Sequence, residues 1–470
     1  MTSSHKKILK VMLFLLPLVL GTVGLMNAGM SLVNAIFDAI TMYGMNYGEE
    51  PANWMVQLAR WLAPIATVSG IALMFASFAR AAYAWIGYLG GNSVAVYGDD
   101  RLAESIRKEC KCPVVPGKDK LLQAHRYVLF WDEATNLEFY LEHQKELANK
   151  QVYLRCSAID SQISEGSNLH LFSAEETGAR LFWKQAQMFS TISEMNPELS
   201  IVFIGFGKLG EQLLLWGLQN NIFYPNQKIT YHIFGDADHF LSLHRDLTNI
   251  TDSIIWHQEL WNHNIETLLS ADRIIVCKQE RQIETIQDLL FAIPEKNYDI
   301  LAEHPEIPNL LEGKNRLKVF CWRDEAQKPK NIFDDRTLER AKAINLRYAH
   351  IYRAVEENPK NMEREWELLD SFTRYSNISA ADYHEIRLQM LQHWGEKELN
   401  SGKLELLSEL EHIRWSRFHY LNNWQYGIPD KGAQKDAEKR IHRDLVPYAE
   451  LSEVAKEKDR ENIRVLLQME

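Results

Sequence analysis

The chain has 470 residues, 46% of them hydrophobic and 24% charged, with a formal net charge of −11 at pH 7. That length holds roughly three units of ordinary domain size, and the acidic balance argues against a nucleic-acid partner, whose phosphates call for clustered Lys and Arg. Five cysteines (Cys110, Cys112, Cys156, Cys277 and Cys321) make no disulfide framework and fit a reducing compartment.

Read in chain order, the first feature is a pair of apolar runs. Val11 to Gly29 carries no charge, and neither does Trp61 to Ser77; each is near the length a helix needs to cross hydrocarbon. His5, Lys6, Lys7 and Lys10 precede the first run and Arg80 follows the second, while Met30 to Asn53 between them lacks Lys and Arg but holds Asp38, Glu49 and Glu50. The positive-inside rule then expects a multi-pass membrane protein with both termini cytoplasmic and the lipid bilayer as a partner. A cleaved signal peptide would also suit the basic start, but it leaves the second run unexplained.

Between the runs, Met30 to Tyr43 is apolar and too short for a crossing, which fits either a re-entrant helix or one lying in the interface. A loop with Gly44, Met45, Asn46, Tyr47 and Gly48 follows. Helix, short helix, glycine-bearing loop, helix: this order resembles the pore module of two-span potassium channels, and on that resemblance Thr41, Gly44, Asn46, Gly48 and Arg60 are the pore candidates. The run from Thr41 to Gly48 lacks the Thr-Val-Gly-Tyr-Gly spacing of that family's filter, so potassium selectivity does not follow. Arg60 also suits snorkelling to lipid phosphate. Two helices cannot enclose a pore, so a channel reading requires a homo-oligomer, a dimer or tetramer.

Ser93 to Tyr97, Tyr127 to Trp131 and Gln151 to Arg155 are β-type runs separated by the helical stretches Arg101 to Cys110 and Leu137 to Asn149. Strand and helix at this pitch imply parallel α/β layering. The turn after the first strand holds one glycine and two acids, Gly98-Asp99-Asp100, which would repel a pyrophosphate. A structural or dimerising role is expected for this unit.

The strongest local motif comes next. Ile201 to Ile204 runs into Gly205-Phe206-Gly207-Lys208-Leu209-Gly210 and the helix Glu211 to Gln219, and Ile229 to Phe234 leads to Gly235-Asp236. This is the strand, GxGxxG, helix, strand, acid layout of a dinucleotide fold. Gly205, Gly207 and Gly210 are the candidate phosphate contacts at the helix N-terminus, Asp236 the candidate ribose acceptor, and NAD or another nucleotide the implied ligand. Runs at Ser253 to Trp256, Arg273 to Cys277 and Leu317 to Cys321 complete a sheet of at least five strands. A pore-type module followed by such units resembles the TrkA-N or RCK class of regulators, in which Rossmann-like domains hang beneath a two-span pore and respond to nucleotides. The competing reading is a scaffold whose glycines serve packing alone.

After Glu325 the polar stretch AQKPKNIFDD reads as a linker, and helical patterns follow at Trp366 to Arg374, Ala380 to Leu391 and Leu404 to Leu421. Three blocks then occur in order: Glu411-His412-x-x-Trp415, Asn423-Trp424-x-Tyr426-Gly427, and Leu445-Val446-Pro447-Tyr448 followed by Lys456 and Asp459. They resemble the ryanodine-receptor (RyR) repeat of bacterial proteins, a resemblance that implies a ligand-recognition module of membrane-linked or nucleotide-signalling systems, antiphage defence among them. Trp415, Trp424, Tyr426 and Tyr448 are then candidates for an aromatic wall against a base, with Arg414 or Arg417 taking a phosphate. Equally, these aromatics can fill the core of a small helical domain.

No HExxH, GxSxG or Walker-type motif occurs, and no metal site is expected. The expected fold is an α/β cytosolic region of tandem Rossmann-like domains (91–195 and 196–330), a two-helix transmembrane module (1–90) and linker helices with a mainly α RyR domain (331–470). The expected activity is that of an oligomeric membrane channel or membrane-disturbing effector controlled by a nucleotide-type ligand, and not that of an enzyme. An NAD-regulated potassium channel and a membrane-bound NAD(P)-dependent oxidoreductase are the alternatives.

Overall fold

The structure is a computed structural model that describes residues 3–110, 112–118, 120–156, 168–244, 247–304, 306–311, 314–333, 335–395 and 400–469. The chain forms two compact units, one of residues 1–93 with 120–124, the other of 94–119 with 125–470.

The first unit is built on α1 (Ser3–Asn27), α2 (Leu32–Tyr43) and α3 (Trp54–Leu89). Small residues let the three approach closely: a Cβ on Gly21 would stand 3.0 Å from that of Ala39 and 3.4 Å from that of Ala59, and one on Gly24 would stand 2.8 Å from the Val56 side chain. Such stripes are how helices associate where no hydrophobic drive separates protein from solvent. At the far end of α2 the Tyr43 hydroxyl donates to the Phe14 carbonyl (2.5 Å) and the Thr67 hydroxyl donates to the Tyr43 carbonyl (3.0 Å). The chain then returns to Asn53, whose amide donates to the Gly24 carbonyl (2.6 Å) and whose Oδ1 caps α3. Thus the segment from the start of α2 to Asn53 begins and ends at the same end of the bundle. Val33, Phe37, Ile40, Phe75 and Phe78 are exposed on its outside.

Where the sequence reads two spans, one described helix is long and apolar enough to cross a membrane by length and composition, namely α3; the apolar stretches Phe14–Asn27 and Leu32–Tyr43 are shorter. The side chains of residues 3–13, with the basic residues that precede the first run, lie outside the described residues.

The second unit holds two Rossmann-like parallel sheets and a mainly helical region. In the first sheet β1 (Val94–Tyr97), β2 (Val114–Gly117), β3 (Arg126–Leu129), β4 (Gln151–Arg155) and β5 (Leu169–Phe172) take the order 2-1-3-4-5. Its helices are α4 (Asp100–Cys110), α5 (Glu133–Glu142), α6 (Gln144–Leu147) and α7 (Ala174–Ala186). The second sheet begins with β6 (Glu198–Ile204), α8 (Gly207–Asn220), β7 (Lys228–Phe234), α9 (Asp238–Leu243) and β8 (Ser253–Trp256). It continues with α10 (Ile265–Ser270), β9 (Arg273–Val276), α11 (Gln282–Ala292), β10 (Tyr298–Ala302), β11 (Leu317–Cys321) and α12 (Trp322–Ala326). Its order, 11-10-9-6-7-8, reverses direction between β9 and β6, which leaves a crevice at the carboxyl ends of those two strands.

The stretch read as a linker is folded: α13 (Pro329–Ile332) lies within it, and Ala326, Ile332 and Phe333 are buried in the main core. Next come α14 (Asp335–Arg353), α15 (Pro359–Glu367), α16 (Ser371–His393) and α17 (Ser401–Leu421). A three-stranded sheet of β12 (Gln425–Tyr426), β13 (Lys435–Asp436) and β14 (Ile441–His442) precedes α18 (Glu453–Gln468). One apolar core runs from Val96 through Phe203 and Tyr231 to Tyr383, Leu410 and Ile463. Buried charges tie the layers across it. Asp382 of α16 receives Arg180 (2.5 Å) and Lys184 (2.7 Å) of α7 and the Asn220 amide of α8 (3.1 Å). Burial works against its charge, and the two cations outweigh burial and hold the carboxyl well below the usual range.

Candidate functional site

A cavity of about 480 Å³ lies within the helical region, a volume suited to a small molecule. Helix α14 contributes Asn345 and Tyr348, α16 Ser376 and Asn377, α17 His412, Arg414 and Trp415, the small sheet Lys435 and His442, and α18 Lys458 and Asp459. Trp415 is fixed by its neighbours, with the His412 ring stacked at 5.5 Å, His419 at 4.1 Å and His442 edge-on at 4.9 Å. His442 is pushed down to about 4 by burial, so its imidazole is neutral at pH 7. His412 differs. Its Nε2 donates to the Val446 carbonyl (2.8 Å) and its Nδ1 stands 3.5 Å from Asp459. Burial opposes its charged form, but Asp459 and the carbonyl outweigh burial and raise it.

The Asn345 side chain is 5% exposed, and its amide nitrogen has no hydrogen-bond partner among the described residues. A buried donor without a partner costs free energy unless something fills its place. Lys458 donates to Gln434 (3.1 Å) and stands over the Tyr348 and Tyr352 rings, and Lys435 is an exposed cation at the cavity. The wall therefore offers an aromatic surface, an amide donor and two ammonium groups.

Of the five residues the RyR-type blocks single out, two line this cavity. Trp415 does so directly. Arg414 does too, but it is 1% exposed and its donors are engaged by Glu411 Oε1 (3.1 and 2.8 Å) and Ser379 Oγ (3.0 Å). Arg417 is likewise spent on Asp252 (2.7 Å) and the Leu218 carbonyl (2.9 Å), so neither guanidinium is available to a phosphate. Trp424 is 6% exposed and stacked on Phe372 at 5.1 Å. Tyr448 is buried with its hydroxyl donating to Glu405 (3.0 Å), and Tyr426 stands 54% exposed on β12. These three are apart from the cavity: two are packing, and one faces solvent.

The glycine motif builds a second cavity, of about 410 Å³, at the crevice of the second sheet. Gly205 has φ +89°, and a Cβ there would stand 2.5 Å from that of Lys278 and 2.6 Å from its backbone, so only glycine fits where the loops after β6 and β9 touch. Gly207 opens α8 at φ +55° with no atom within 4 Å of where a Cβ would be, and it lines the cavity. The first turn of α8 receives no side-chain cap, so its N–H groups point outward, the arrangement that binds anions. Gly210 packs against the Phe206 ring instead of the sheet. Asp236 is exposed, accepts from the Asp238 N–H (3.0 Å) and does not line the cavity.

The first sheet offers the opposite arrangement at its own β1 and β3 ends. Asp99 Oδ1 accepts from the Arg101 and Leu102 N–H groups (2.9 and 3.0 Å), capping α4 with a carboxylate. Tyr97, Trp131 and Phe139 fill the space above, with ring centroids 4.8 to 5.3 Å apart.

In the first unit the residues taken as pore candidates fall around the end of α2 and the return loop. The Thr41 carbonyl accepts from the N–H groups of Gly44 (3.0 Å) and Asn46 (3.1 Å), which folds the turn and engages the oxygen a filter would present. Gly48 has open space around it. Arg60 lines a groove of about 490 Å³ with Met45, Tyr47, Trp61 and Pro64.

Besides Lys435 and Lys458, which were not among the candidates, sequence reasoning missed Asn345 and Tyr348. They lie on α14, far upstream of the RyR-type blocks, and no local motif marks them; a buried amide is recognisable only once its helix is packed. Among the described residues no group of three or more His, Cys, Asp or Glu stands where it could hold a metal ion.

Residues 397–469 match the RyR domain family model, which covers α17, the small sheet and α18 and so most of one wall of the first cavity. No curated protein and no solved structure matches the chain.

Proposed function

We propose that this protein is a membrane-anchored, ligand-responsive effector: a nucleotide-type small molecule binds the RyR-domain cavity, and the three-helix unit, assembled as a homo-oligomer in the bacterial inner membrane, carries the output as a channel or membrane disturbance. The observation that carries the reading is the cavity itself, where Trp415, Lys435 and Lys458 of the matched RyR domain converge with the unpartnered Asn345 amide of α14. A base against Trp415, a base carbonyl on Asn345 and phosphates on the lysines satisfy each of these groups at once. The outward apolar face of α1 to α3 and the stripe of Gly21, Gly24, Ala39 and Ala59 support placement in lipid. Binding moves the output only to the extent that the ligand prefers one state of the assembly over the other. No bond is made or broken in this scheme, and the two-span topology with both termini cytoplasmic is part of it.

The test uses the full chain in detergent and in liposomes. Calorimetry with linear and cyclic nucleotides is expected to find a binder, and Trp415→Ala to weaken it at least tenfold. The same ligand should change ion flux from liposomes carrying the wild-type chain. Turnover of a nucleotide without flux would favour the oxidoreductase alternative.

A further inference from the structure

We infer that the second sheet carries a separate binding site for a small phosphorylated molecule, seated over the ends of β9, β10 and β11 and held by the first turn of α8, Lys208, Lys278 and the indole N–H of Trp322. It is not the dinucleotide site that the glycine motif and Asp236 imply by themselves. The inference does not depend on the RyR-domain cavity.

Four buried polar atoms that face no partner belong to residues lining this one cavity. Two are donors, Trp322 Nε1 and Arg323 Nε; two are acceptors, Gln279 Oε1 and Glu175 Oε2. Trp322 is only 2% exposed. Its Cε3 edge is packed on Gly178 of α7, 3.1 Å from where a Cβ would stand, which leaves the opposite, Nε1 edge as the one without a partner. The Gln279 amide nitrogen donates to the Cys277 and Leu301 carbonyls (3.0 and 3.2 Å), so the side chain is fixed with its oxygen unsatisfied. Each such group costs free energy unless a ligand or solvent satisfies it, and four in one place mark a built site.

Charge then selects the ligand. Glu280 and Glu303 also line the cavity, the latter paired with Arg323, so it is the uncapped first turn of α8 and the exposed ammoniums of Lys208 and Lys278, which have no ion-pair partner among the described residues, that favour an anion beside α8. Gln279 and Glu175 ask for hydroxyl or amine donors on the same molecule. A phosphate on a hydroxyl-bearing body, such as a sugar or nucleoside phosphate, meets both demands.

A dinucleotide needs room on the other side of the glycine loop, towards β7, and that room is filled. A Cβ on Gly235 would stand 2.7 Å from the Phe206 nitrogen, and the Phe206 ring is packed on Phe240 (5.8 Å) and Trp256 (5.6 Å). Asp236 accepts from the Asp238 N–H through Oδ1 and stands outside this cavity.

Calorimetry on the full chain in detergent, with ribose 5-phosphate, AMP and NAD as probes, decides the matter. Ribose 5-phosphate or AMP is expected to bind, with affinity lowered at least fivefold in Lys278→Met and in Trp322→Phe and unchanged in Asp236→Asn. Trp415→Ala, in the other cavity, should leave the ribose 5-phosphate isotherm in place. Should Trp322→Phe fail to fold, Lys278→Met at an exposed position still decides. The inference is overturned if neither phosphate probe binds at millimolar concentration, if binding ignores both variants, or if NAD binds and only Asp236→Asn abolishes it.

Discussion

Two parallel sheets of related architecture follow one another in this sequence, and they differ in what stands at the ends of their central strands: among the described residues, the glycine turn of the second lines a cavity and that of the first does not. Both place a glycine with positive φ at the end of a central strand, Gly98 at +88° and Gly205 at +89°, and both pass a neighbouring loop directly over it. The difference is in the next few side chains. After Gly98 a carboxylate caps the helix and three aromatic rings close the space; after Gly205 the helix starts uncapped on a second glycine, and lysines, an indole N–H and an amide oxygen surround a cavity. Topology makes the crevice available in each case, and a handful of residues at the strand ends decides whether it is filled.

The most damaging way to probe this comparison is to add a side chain at the shared glycines. Gly98→Val and Gly205→Val should each cost more than about 4 kcal/mol, because backbone atoms lie within 2.4 and 2.6 Å of the new Cβ and the left-handed conformation is strained for any β-branched residue. Chemical denaturation measures both, and tolerance at either position would contradict the loop contact described there. Opening the filled crevice comes next: Tyr97→Ala should lose about 3 to 5 kcal/mol from its deeply buried ring, without conferring phosphate binding on the first sheet, because Asp99 still caps α4. Gly207→Ala should cost only about 1 kcal/mol, since the position is open, yet it places a methyl group over the α8 N-terminus and should weaken ribose 5-phosphate severalfold.

A further effect concerns pH. His170, in strand β5 of the first sheet, and His442, in the RyR-domain cavity, are both pushed down to about 4 by burial. The unfolded chain takes up protons on these rings from about pH 6.5 while the folded one does not, so stability is highest above that pH and falls as the pH drops from about 6.5 to 4. Urea midpoints across this range should decline, and His442→Asn should make the decline shallower.

The second sheet was the most legible part of the molecule because its signal is local: strand, glycines, helix and acid follow one another within a few dozen residues. The three RyR-type blocks were legible for the same reason, and the matched domain covers them. Strand β10 went unread because Asp299 interrupts an apolar run, and its charge makes sense only beside Arg273, whose Nε donates to it from the neighbouring strand (2.5 Å). Strand β2 was hidden by Pro116 and Gly117, the latter required because a Cβ would strike the Tyr97 ring at 2.1 Å. The polar stretch after Glu325 looked like a linker because its lysines and aspartates outnumber the buried Ile332 and Phe333. At the sites, sequence identified the types of residue but not their commitments. Arg414 and Arg417 suit a phosphate on paper, and packing assigns them to Glu411 and Asp252; Asn345 carries no motif, and packing gives it a place in the cavity wall.

Ligand-dependent flux through lipid is the most direct measurement of the central claim. Liposomes carrying the purified full chain should release ions when a nucleotide that binds by calorimetry is added, and liposomes carrying Trp415→Ala should stay tight at the same concentration. Recovery of the intact chain in the aqueous phase without detergent, or flux that is identical with and without the bound nucleotide, would contradict the proposal.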